Sequence, residues 1–571
     1  MPSSSKRSQR RAAQRQPATQ QSQAPATPEA ETATRSQPPP PATPPPKPSA
    51  PRRGQARRRR DWTSWVFAGA VLAFALAWGF GITWRGPLFD VDIDLVRTSG
   101  IHRVAAGSGP LVEITLTMAA ITAMYLVCLW ALRKGFRHSF LAAVAGCVIV
   151  GAAVLPGMPM TSPDSVHLAA DVRTLFIHHT LPFTSKGAPS KQTDDPIAKE
   201  VRAYPDQQST YGPVAYIIGG AAIPFAGDSL RGMVLGMKLI SGVFLLATAV
   251  LAGLVAKRLG RNGAYTVALV GMNPLFLWEY TGDGHNDTIM VAFGVLAMLF
   301  FVEPSWKRRL PGFIAGAASL LSKFALLLGL PVLVASWVPA SKTIRLPWPT
   351  AGSVTGWSWQ PVPWRTAFGL LAIVGGCIAV AAMMSAFFGL RRSVAGPIAG
   401  ITDNTPWHVL QTWLDPSGPG RKTMLGFCYG GAVIVTGLIM IRSRLKTAED
   451  VVAGIALAMG LFLFCFAPTL RHWYQFWAFP FIAIAGRRWL VAGAVAFSVG
   501  AFLPIFALNW SGDIKRDFGL DNSPNWMVVL LWVGVVATGL VVWWRDTGRA
   551  RTQAARAGRR RTARVPARGR A

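Results

Sequence analysis

Charged residues and cysteines are scarce in this sequence. Only 15% of the 571 residues are charged, whereas 51% are hydrophobic, and the apolar residues fall into runs of roughly 17 to 25. This pattern indicates an integral membrane protein with several spans. The cysteines lie in or beside apolar stretches without paired spacing, so they are interpreted as small core residues rather than disulfide or zinc ligands. They are Cys128, Cys147, Cys377, Cys428 and Cys465.

Acidic residues are also few, with 26 Asp and Glu against 58 Lys and Arg, so the formal net charge is +32. In a soluble protein this excess would suggest nucleic-acid binding. Here, however, the two tails, residues 1–60 and 545–571, hold about 20 units of this net positive charge. Basic flanks beside apolar spans set the topology and attract anionic headgroups. We therefore expect membrane lipids as partners, and no nucleic acid.

A cleavable signal peptide is not expected, because about sixty hydrophilic residues precede the first apolar run, which would act as its own signal anchor. Residues 1–60 and 546–571 are predicted to be disordered, basic, cytoplasmic tails. Residues 61–545 are predicted to form an all-α polytopic bundle of about 14 membrane segments in the plasma membrane. Placing the basic loops inside leaves both termini cytoplasmic and the polar loop 158–212 outside.

Two apolar stretches do not fit simple spans. Pro213–Gly227 is short and interrupted by glycine and proline, so we predict an interfacial or re-entrant segment on the outer side. Pro311–Trp337 is predicted to form two short helices that meet at Lys323, because its ends would otherwise violate the positive-inside rule. An intramembrane lysine is costly, which makes Lys323 a functional candidate.

Three polar segments follow apolar runs on the predicted outer side. They are the start of the long loop at Asp164, GDGHND from Gly282 to Asp287, and RHWY from Arg471 to Tyr474. Titratable groups at the boundary between membrane and water suit an enzyme with a lipid-linked substrate. We predict that the three segments meet as one site on the non-cytoplasmic face.

Several of these residues also suit structural roles. Ser162 or Asp164 would cap the helix that begins at SPD, and Asp171 rivals Asp164 as a catalytic base. Lys323 would otherwise extend its ammonium group toward water without binding anything. These alternatives stay open from the sequence alone.

GDGHND has alternatives of its own. Its glycines and Asn would supply positive φ in a plain turn between two spans. Its Asp283, His285 and Asp287 would also suit a divalent cation, since the spacing brings oxygen and imidazole ligands together. The Trp473–Tyr474 pair suits an interfacial aromatic belt as well as a platform for a sugar ring.

The order of the motifs resembles a known family. The chain contains, in sequence, MTSPDSVHLAADVR, STYGPVAYII, MNPLFLWEYTGDGHNDTIMVAFGVLAMLF, LLSKFALLLGLP and RHWYQFWAFP. Together they are similar to the polytopic GT-C glycosyltransferases that take sugar from a polyprenyl phosphate, above all the bacterial mannosyltransferases that build lipomannan-type glycans. The resemblance covers about Trp62 to Trp544, and GHND after NP-x-x-L-x-E is its most specific part.

The resemblance implies inverting transfer of a hexose, with mannose expected, from a polyprenyl-phosphate donor to a glycolipid or glycan acceptor of the cell envelope. Asp164 matches the family's loop aspartate and would deprotonate the acceptor hydroxyl. The departing phosphate anion needs no acid but needs cationic donors, for which Lys323, Arg471 and His472 are the candidates. Substrate contacts are expected from Asp171, Arg173, Tyr211, Glu279, Asp283, His285, Asn286 and Asp287. No cofactor is expected, with a divalent cation left open.

A different class of protein is also compatible with the sequence. A transporter or flippase for lipid-linked sugars would use Lys238, Glu279 and Lys323 to relay protons or substrate. Such proteins typically contain broken helices and internal repeats. The chain has a predicted break at Lys323 but no evident repeat.

Overall fold

The structure, a computed structural model, describes a defined part of the chain. The described residues are 53–83, 108–157, 159, 161–182, 193–201, 211–303, 306–337, 343–349, 357–364, 371, 375, 430–431, 434–439, 445, 447–467, 470–520 and 523–562. All contacts given below lie within one compact unit, Gly54–Ala571. Two of the five cysteines, Cys377 and Cys428, lie outside the described residues.

The first half of the described chain is helical. The α-helices are α1 (Arg53–Trp78), α2 (Ser108–Lys134), α3 (Ser139–Val154), α4 (Asp164–Phe176), α5 (Pro213–Gly219), α6 (Ile223–Ala226), α7 (Leu230–Arg258), α8 (Gly263–Gly271), α9 (Pro274–Phe276) and α10 (Asp287–Phe301). Between them lie π-helical turns at Gly79–Thr83 and Leu277–Gly282 and 3₁₀ turns at Ala198–Glu200 and Gly220–Ala222.

The second half contains eight more described α-helices and one β-hairpin. The helices are α11 (Trp306–Ser322), α12 (Leu330–Trp337), α13 (Ala448–Leu461), α14 (Phe479–Ala485), α15 (Arg488–Gly500), α16 (Phe502–Asn509), α17 (Ser511–Phe518) and α18 (Ser523–Thr562). A 3₁₀ turn covers Phe324–Gly329, a π-helical turn Phe462–Phe466 and a 3₁₀ turn His472–Trp477. Strands β1 (Thr343–Pro349) and β2 (Trp357–Pro363) pair antiparallel, with Leu346 opposite Gln360.

Several helices are long and apolar enough to cross a membrane. Six qualify among the described residues, or seven if the bent pair Pro274–Gly282 and Asp287–Phe301 counts as one span. This confirms a polytopic membrane protein but not the predicted total of about 14 segments. The sides on which the loops and termini lie stay predictions.

Local sequence explains where the central helices begin. The Ser229 hydroxyl accepts from Gly232 N–H at the start of α7, and the Asn262 side chain accepts from Tyr265 N–H at the start of α8. Asn273 caps α9, where Pro274 occupies the first helical position, at which a missing N–H costs nothing. The chain is therefore interrupted between α8 and α9, and it bends again by 119° before α10.

One prediction about secondary structure needs correction. The β-hairpin is an exception to the all-α prediction, and its Thr343, Ile344, Trp357 and Trp359 are residue types enriched in strands. Disorder of the basic tails stays a prediction, while α1 begins at Arg53 and α18 continues to Thr562. Arginine and alanine are good helix formers, so each span extends into its basic flank. Residues 1–52 and 563–571 lie outside the described residues.

Two buried apolar clusters hold the unit together. The larger one draws on α1 to α3, α7 to α10 and α13 to α16, and it contains fully buried aromatic rings such as Trp78 and Trp278. The smaller one joins α4 to α5 and to the first turns of α7, through side chains such as Val172, Tyr216 and Met233. The first turn of α4 and the bend between α9 and α10 carry the polar residues described next.

Candidate active site

The bend before α10 places the GDGHND segment inside the protein. Glu279 lies in the π-helical turn Leu277–Gly282, and both it and His285 are essentially inaccessible to solvent. Gly284 has φ +79°, a conformation that favours glycine, and a Cβ there would lie 3.1 Å from Lys238 Cγ. Gly284 is the one residue of Gly282–Asp287 with positive φ, so the plain-turn interpretation holds only for that position.

An acid–imidazole cluster forms around His285. Its Nδ1 lies 3.2 Å from Asp164 Oδ2, and its Nε2 lies 3.3 Å from Glu279 Oε2. The other Glu279 oxygen, Oε1, lies 2.9 Å from His472 Nε2. The predicted meeting of the three polar segments is thus confirmed for these four side chains. We call Asp164, Glu279, His285 and His472 the site cluster.

The ends of the site cluster are partly open and its centre is closed. The Asp164 side chain is 31% exposed and that of His472 14%, whereas Glu279 and His285 are at 0%. Asp164 is the first residue of α4, and its own N–H is bonded to the Ser162 hydroxyl at 3.3 Å. Its carboxylate faces the site, with Oδ2 next to His285 Nδ1.

The charge state of Asp164 follows from its neighbours. Burial alone would raise the pKa of the Asp164 carboxyl, but the His285 imidazole beside it, with further contributions from His167 and Lys323, lowers that pKa below its usual value. The carboxylate is therefore ionised at neutral pH. An ionised carboxylate with an open edge can accept a proton from a bound hydroxyl.

Asp283 and Asp287, at the two ends of the turn, face different partners. The Thr161 N–H donates to Asp283 Oδ2 at 3.0 Å, and the Thr161 hydroxyl donates to the same oxygen. Asp287 Oδ1 accepts from Lys323 Nζ at 2.6 Å and from Trp477 Nε1 at 3.0 Å. Asp287 is thus paired with a cation, and Asp283 is fixed against the start of the α4 segment.

Lys323 stands at the predicted break. Helix α11 ends at Ser322 and a 3₁₀ turn begins at Phe324, which confirms two helical segments meeting there. Its ammonium nitrogen lies 5.1 to 5.3 Å from the ring centroids of Tyr211, Tyr474 and Trp477. Aromatic faces attract a cation at this range, and 14% of the side chain stays exposed. The ammonium group is therefore held in place rather than extended into water.

The YGP motif is explained by a close backbone approach. Gly212 N–H donates to the Ser322 carbonyl at 2.8 Å, and a Cβ on Gly212 would lie 1.9 Å from the Leu321 carbonyl oxygen. Any larger residue would push these segments apart. This contact places Tyr211 against Lys323.

An aromatic wall borders the site cluster. The Trp473 ring stacks on the His285 ring at 4.1 Å with an interplanar angle of 22°, and Tyr280 OH donates to the Trp473 carbonyl at 2.7 Å. The Arg471 guanidinium carbon lies 5.9 Å from the Trp473 ring. Among the described residues, Arg471 has no acidic partner within salt-bridge distance. Trp473 is thus part of the site rather than of a lipid-facing belt.

Asp171 and Arg173 lie away from the site cluster, further along α4. Asp171 is buried and accepts from Tyr216 OH at 3.3 Å. Arg173 Nε contacts both Asp195 oxygens, at 3.1 and 2.9 Å, while its Nη atoms donate to the Gly227 carbonyl and to Asp228. A structural role accounts for these contacts, and a substrate role for either residue stays a prediction.

Four supporting residues were not singled out as site residues from the sequence. Thr161 and Trp477 hold Asp283 and Asp287, the Ser241 hydroxyl donates to the His285 carbonyl, and Asp195 binds Arg173. Of these four residues, Thr161 and Trp477 lie within motifs of the family resemblance, MTSPDSVHLAADVR and RHWYQFWAFP, so the sequence could have pointed to them. Ser241 and Asp195 stand in unremarkable contexts, and only the fold brings them into place.

The relay proposed for a transporter is not seen as a direct chain among the described residues. Lys238 Nζ donates to the Leu155 and Gly157 carbonyls at the end of α3, and Lys323 pairs with Asp287. Glu279 contacts the two histidines instead. Lys238 therefore ties α7 to the end of α3, where the helix dipole favours a cation.

The helices and the site cluster together define a polytopic membrane protein with a buried acid–imidazole site. Residues 65–339 match the family model described as alpha-(1->6)-mannopyranosyltransferase, N-terminal domain. This stretch includes Asp164, the GDGHND segment and Lys323, but not His472. No solved structure matches the chain.

Two relatives carry the same kind of name. The chain is 22% identical over 345 residues to alpha-(1->6)-mannopyranosyltransferase A of Mycobacterium tuberculosis (strain ATCC 25618 / H37Rv), covering 57% of this chain and 62% of the relative. It is 22% identical over 326 residues to alpha-(1->6)-mannopyranosyltransferase B of Corynebacterium glutamicum, covering 53% and 52%. The chain thus spans roughly half to three fifths of these relatives. The matches confirm the resemblance to bacterial mannosyltransferases and support a glycosyltransferase.

Proposed function

We propose that the chain is a membrane-embedded inverting glycosyltransferase of the GT-C type. It transfers a hexose, mannose first of all, from a polyprenyl-phosphate donor to a glycolipid or glycan acceptor on the non-cytoplasmic face. The observation that carries this proposal is the position of Asp164. It is an ionised carboxylate at the open edge of a buried polar site, in a chain similar to mannosyltransferases.

The transfer step follows from the arrangement of charges. The acceptor hydroxyl oxygen attacks the anomeric carbon, and its proton passes to the Asp164 carboxylate. The bond between the anomeric carbon and the phosphate oxygen breaks, and its electron pair stays on the phosphate. Attack from the side opposite the leaving group inverts the anomeric centre.

Three cationic groups at the site are the candidates to bind the departing phosphate. Lys323 gives one N–H to Asp287 and retains two, and Arg471 has no acidic partner among the described residues. Donors fixed before the reaction stabilise the developing charge without reorganisation. His472 contacts Glu279 and is the third candidate.

The sugar would occupy the space beside the GDGHND turn. Asn286 Oδ1 and Nδ2 and Asp287 Oδ2 are buried and have no hydrogen-bond partner among the described residues. Native proteins rarely leave such groups unsatisfied, so they are suited to sugar hydroxyls. The Trp473 ring supplies an apolar face of the kind on which sugar rings pack.

The proposal is tested by Asp164→Asn, which keeps the shape of the side chain and removes the base. Purified protein in lipid nanodiscs is given polyprenyl-phosphate mannose and a mannan-type acceptor, and released polyprenyl phosphate is measured. We expect the rate to fall by about 10²–10⁴-fold. Asp228→Asn, at an 80% exposed carboxylate, is the matched control and should leave the rate near wild type. A near-normal rate in Asp164→Asn would remove Asp164 from the mechanism.

A further inference from the structure

Three possible metal ligands converge at the bend between α9 and α10. One ligand atom from each of Glu279, Asp283 and His285 lies within 4.8 Å of the others. All three residues are buried, with relative exposures of 0%, 0% and 1%. They come from a short stretch of chain whose shape is fixed by the π-helical turn and by Gly284.

Glu279 and His285 are incompletely satisfied by the protein. Both carboxylate oxygens of Glu279 and both ring nitrogens of His285 are buried, and none has a hydrogen-bond partner among the described residues. The His285 nitrogens lie 3.2 Å from Asp164 Oδ2 and 3.3 Å from Glu279 Oε2, but these contacts do not have the geometry of hydrogen bonds. A buried carboxylate and imidazole left in this state cost free energy, and a bound ion is a usual explanation.

We propose that Glu279, Asp283 and His285 bind a divalent transition-metal ion. A set of two carboxylates and one imidazole suits Mn²⁺ or Zn²⁺, whereas Mg²⁺ and Ca²⁺ prefer oxygen ligands throughout. Asp287, which belonged to the cation site that the sequence left open as an alternative, pairs with Lys323 and Trp477. Glu279 takes its place because the π-helical turn directs its side chain toward His285.

The surroundings have the features of a metal site's outer contacts. Of the two His285 nitrogens, Nε2 faces Glu279, and Nδ1 faces the Asp164 carboxylate at 3.2 Å. A histidine that binds a metal through one nitrogen usually donates its other N–H to a carboxylate, which fixes the ring. Thr161 likewise holds Asp283, and the Ser241 hydroxyl holds the His285 carbonyl.

The ion would sit on the far side of His285 from Asp164. Its role in transfer rests on the proposed function, but its binding does not. Through His285 it would orient the ring that contacts the base, and it would offset the negative charge of Glu279 and Asp283. Metal binding would then give these three side chains a shared role, which is separate from the transfer step.

The proposal is tested by metal binding to the full-length protein in nanodiscs after removal of bound metal with a chelator. Mn²⁺ is titrated and free ion is followed by electron paramagnetic resonance, with Zn²⁺ as competitor. We expect one site per chain and a loss of affinity of about 100-fold or more in Glu279→Gln and His285→Asn. Glu449→Gln, at an exposed carboxylate remote in sequence from the site, is the control and should bind like wild type.

A spectroscopic measurement on the wild type covers the case in which the variants fold poorly. Electron spin-echo modulation of bound Mn²⁺ should show coupling to one imidazole nitrogen. Absence of a stoichiometric site, absence of that coupling, or undiminished affinity in both folded variants would overturn the proposal. If metal binding fails while wild-type protein still transfers sugar, only the metal site is refuted. If metal binds but no sugar is transferred, the proposed function is the part that fails.

Discussion

Two charged clusters with buried centres border α4, and they differ in how completely their polar atoms are hydrogen-bonded within the protein. In the anchor cluster, formed by Arg173, His178, Asp195 and Asp228, the Asp195 carboxylate accepts from Arg173, His178 and two backbone N–H groups. In the site cluster, Glu279 and His285 face each other without hydrogen-bond geometry. Burial and charge alone therefore do not distinguish a functional site from a structural one. A cluster that the protein leaves unsatisfied is suited to a ligand.

The largest effect on the transfer rate is expected from a change at the centre of the site cluster. His285→Asn should lower the transfer rate by about 10²-fold or more, because Asp164 loses its imidazole partner. The thermal unfolding midpoint should fall less than in the anchor-cluster variant Asp195→Ala, because an Asn side chain can still donate to the neighbouring carboxylates of Asp164 and Glu279. Rate and midpoint are measured on the same nanodisc preparation. A large drop in the midpoint at normal specific activity would assign His285 a structural role.

The opposite result is expected in the anchor cluster. Asp195→Ala leaves the buried Arg173 guanidinium without its main partner, which should cost about 3–5 kcal/mol of unfolding free energy. Differential scanning fluorimetry should show a lower midpoint. The transfer rate per folded molecule should stay close to wild type, because Asp195 touches no member of the site cluster. A selective loss of rate at normal stability would make the anchor cluster part of the site.

Lys323 is intermediate between the two clusters, because it is paired with Asp287 and is also a candidate site residue. Lys323→Gln keeps a donor for Asp287 but removes the positive charge from the aromatic enclosure. Loss of a charge-assisted bond to phosphate, about 1.5–3 kcal/mol, predicts a donor KM about 10–100-fold higher. Lys323→Arg should lose less. An unchanged KM for the donor in steady-state kinetics would remove Lys323 from phosphate binding.

The smallest expected effect is a pH dependence confined to the anchor cluster. Burial alone would raise the pKa of Asp195, but the bonds from His178, Ala198 N–H and Arg173 outweigh it and lower the pKa. A carboxyl whose folded pKa is depressed stabilises the protein above its unfolded pKa of about 3.9 and loses this contribution as the pH falls further. Unfolding midpoints should therefore drop below about pH 4 in wild type, with a shallower slope in Asp195→Asn. Equal slopes would contradict the assignment.

Part of this structure was predictable from sequence. Apolar runs predicted a protein with several membrane spans, and the position of three polar segments after such runs predicted that Asp164, His285 and His472 would meet. These predictions use local periodicity and motif order, which the sequence carries directly.

The remaining features depend on contacts between distant segments. No local sequence pattern predicts that Thr161 donates to Asp283, or that Asp195 accepts from Arg173. The cation site left open by the sequence included Asp287 because of its spacing. In the structure Asp287 pairs with Lys323, and the π-helical turn brings Glu279 close to His285. The extension of α1 and α18 into the basic flanks was not predicted, because composition was weighed above helix propensity.

The 119° bend between α9 and α10 has a mechanical consequence. Glu279 lies on the first arm of the bend and His285 lies two residues before α10, so an ion bound to both would connect the two arms. Ion binding and the tilt of α10 would then be linked, and each would influence the other to the same extent. A pair of spin labels on α8 and α10 would report occupancy of the proposed metal site as a change in distance.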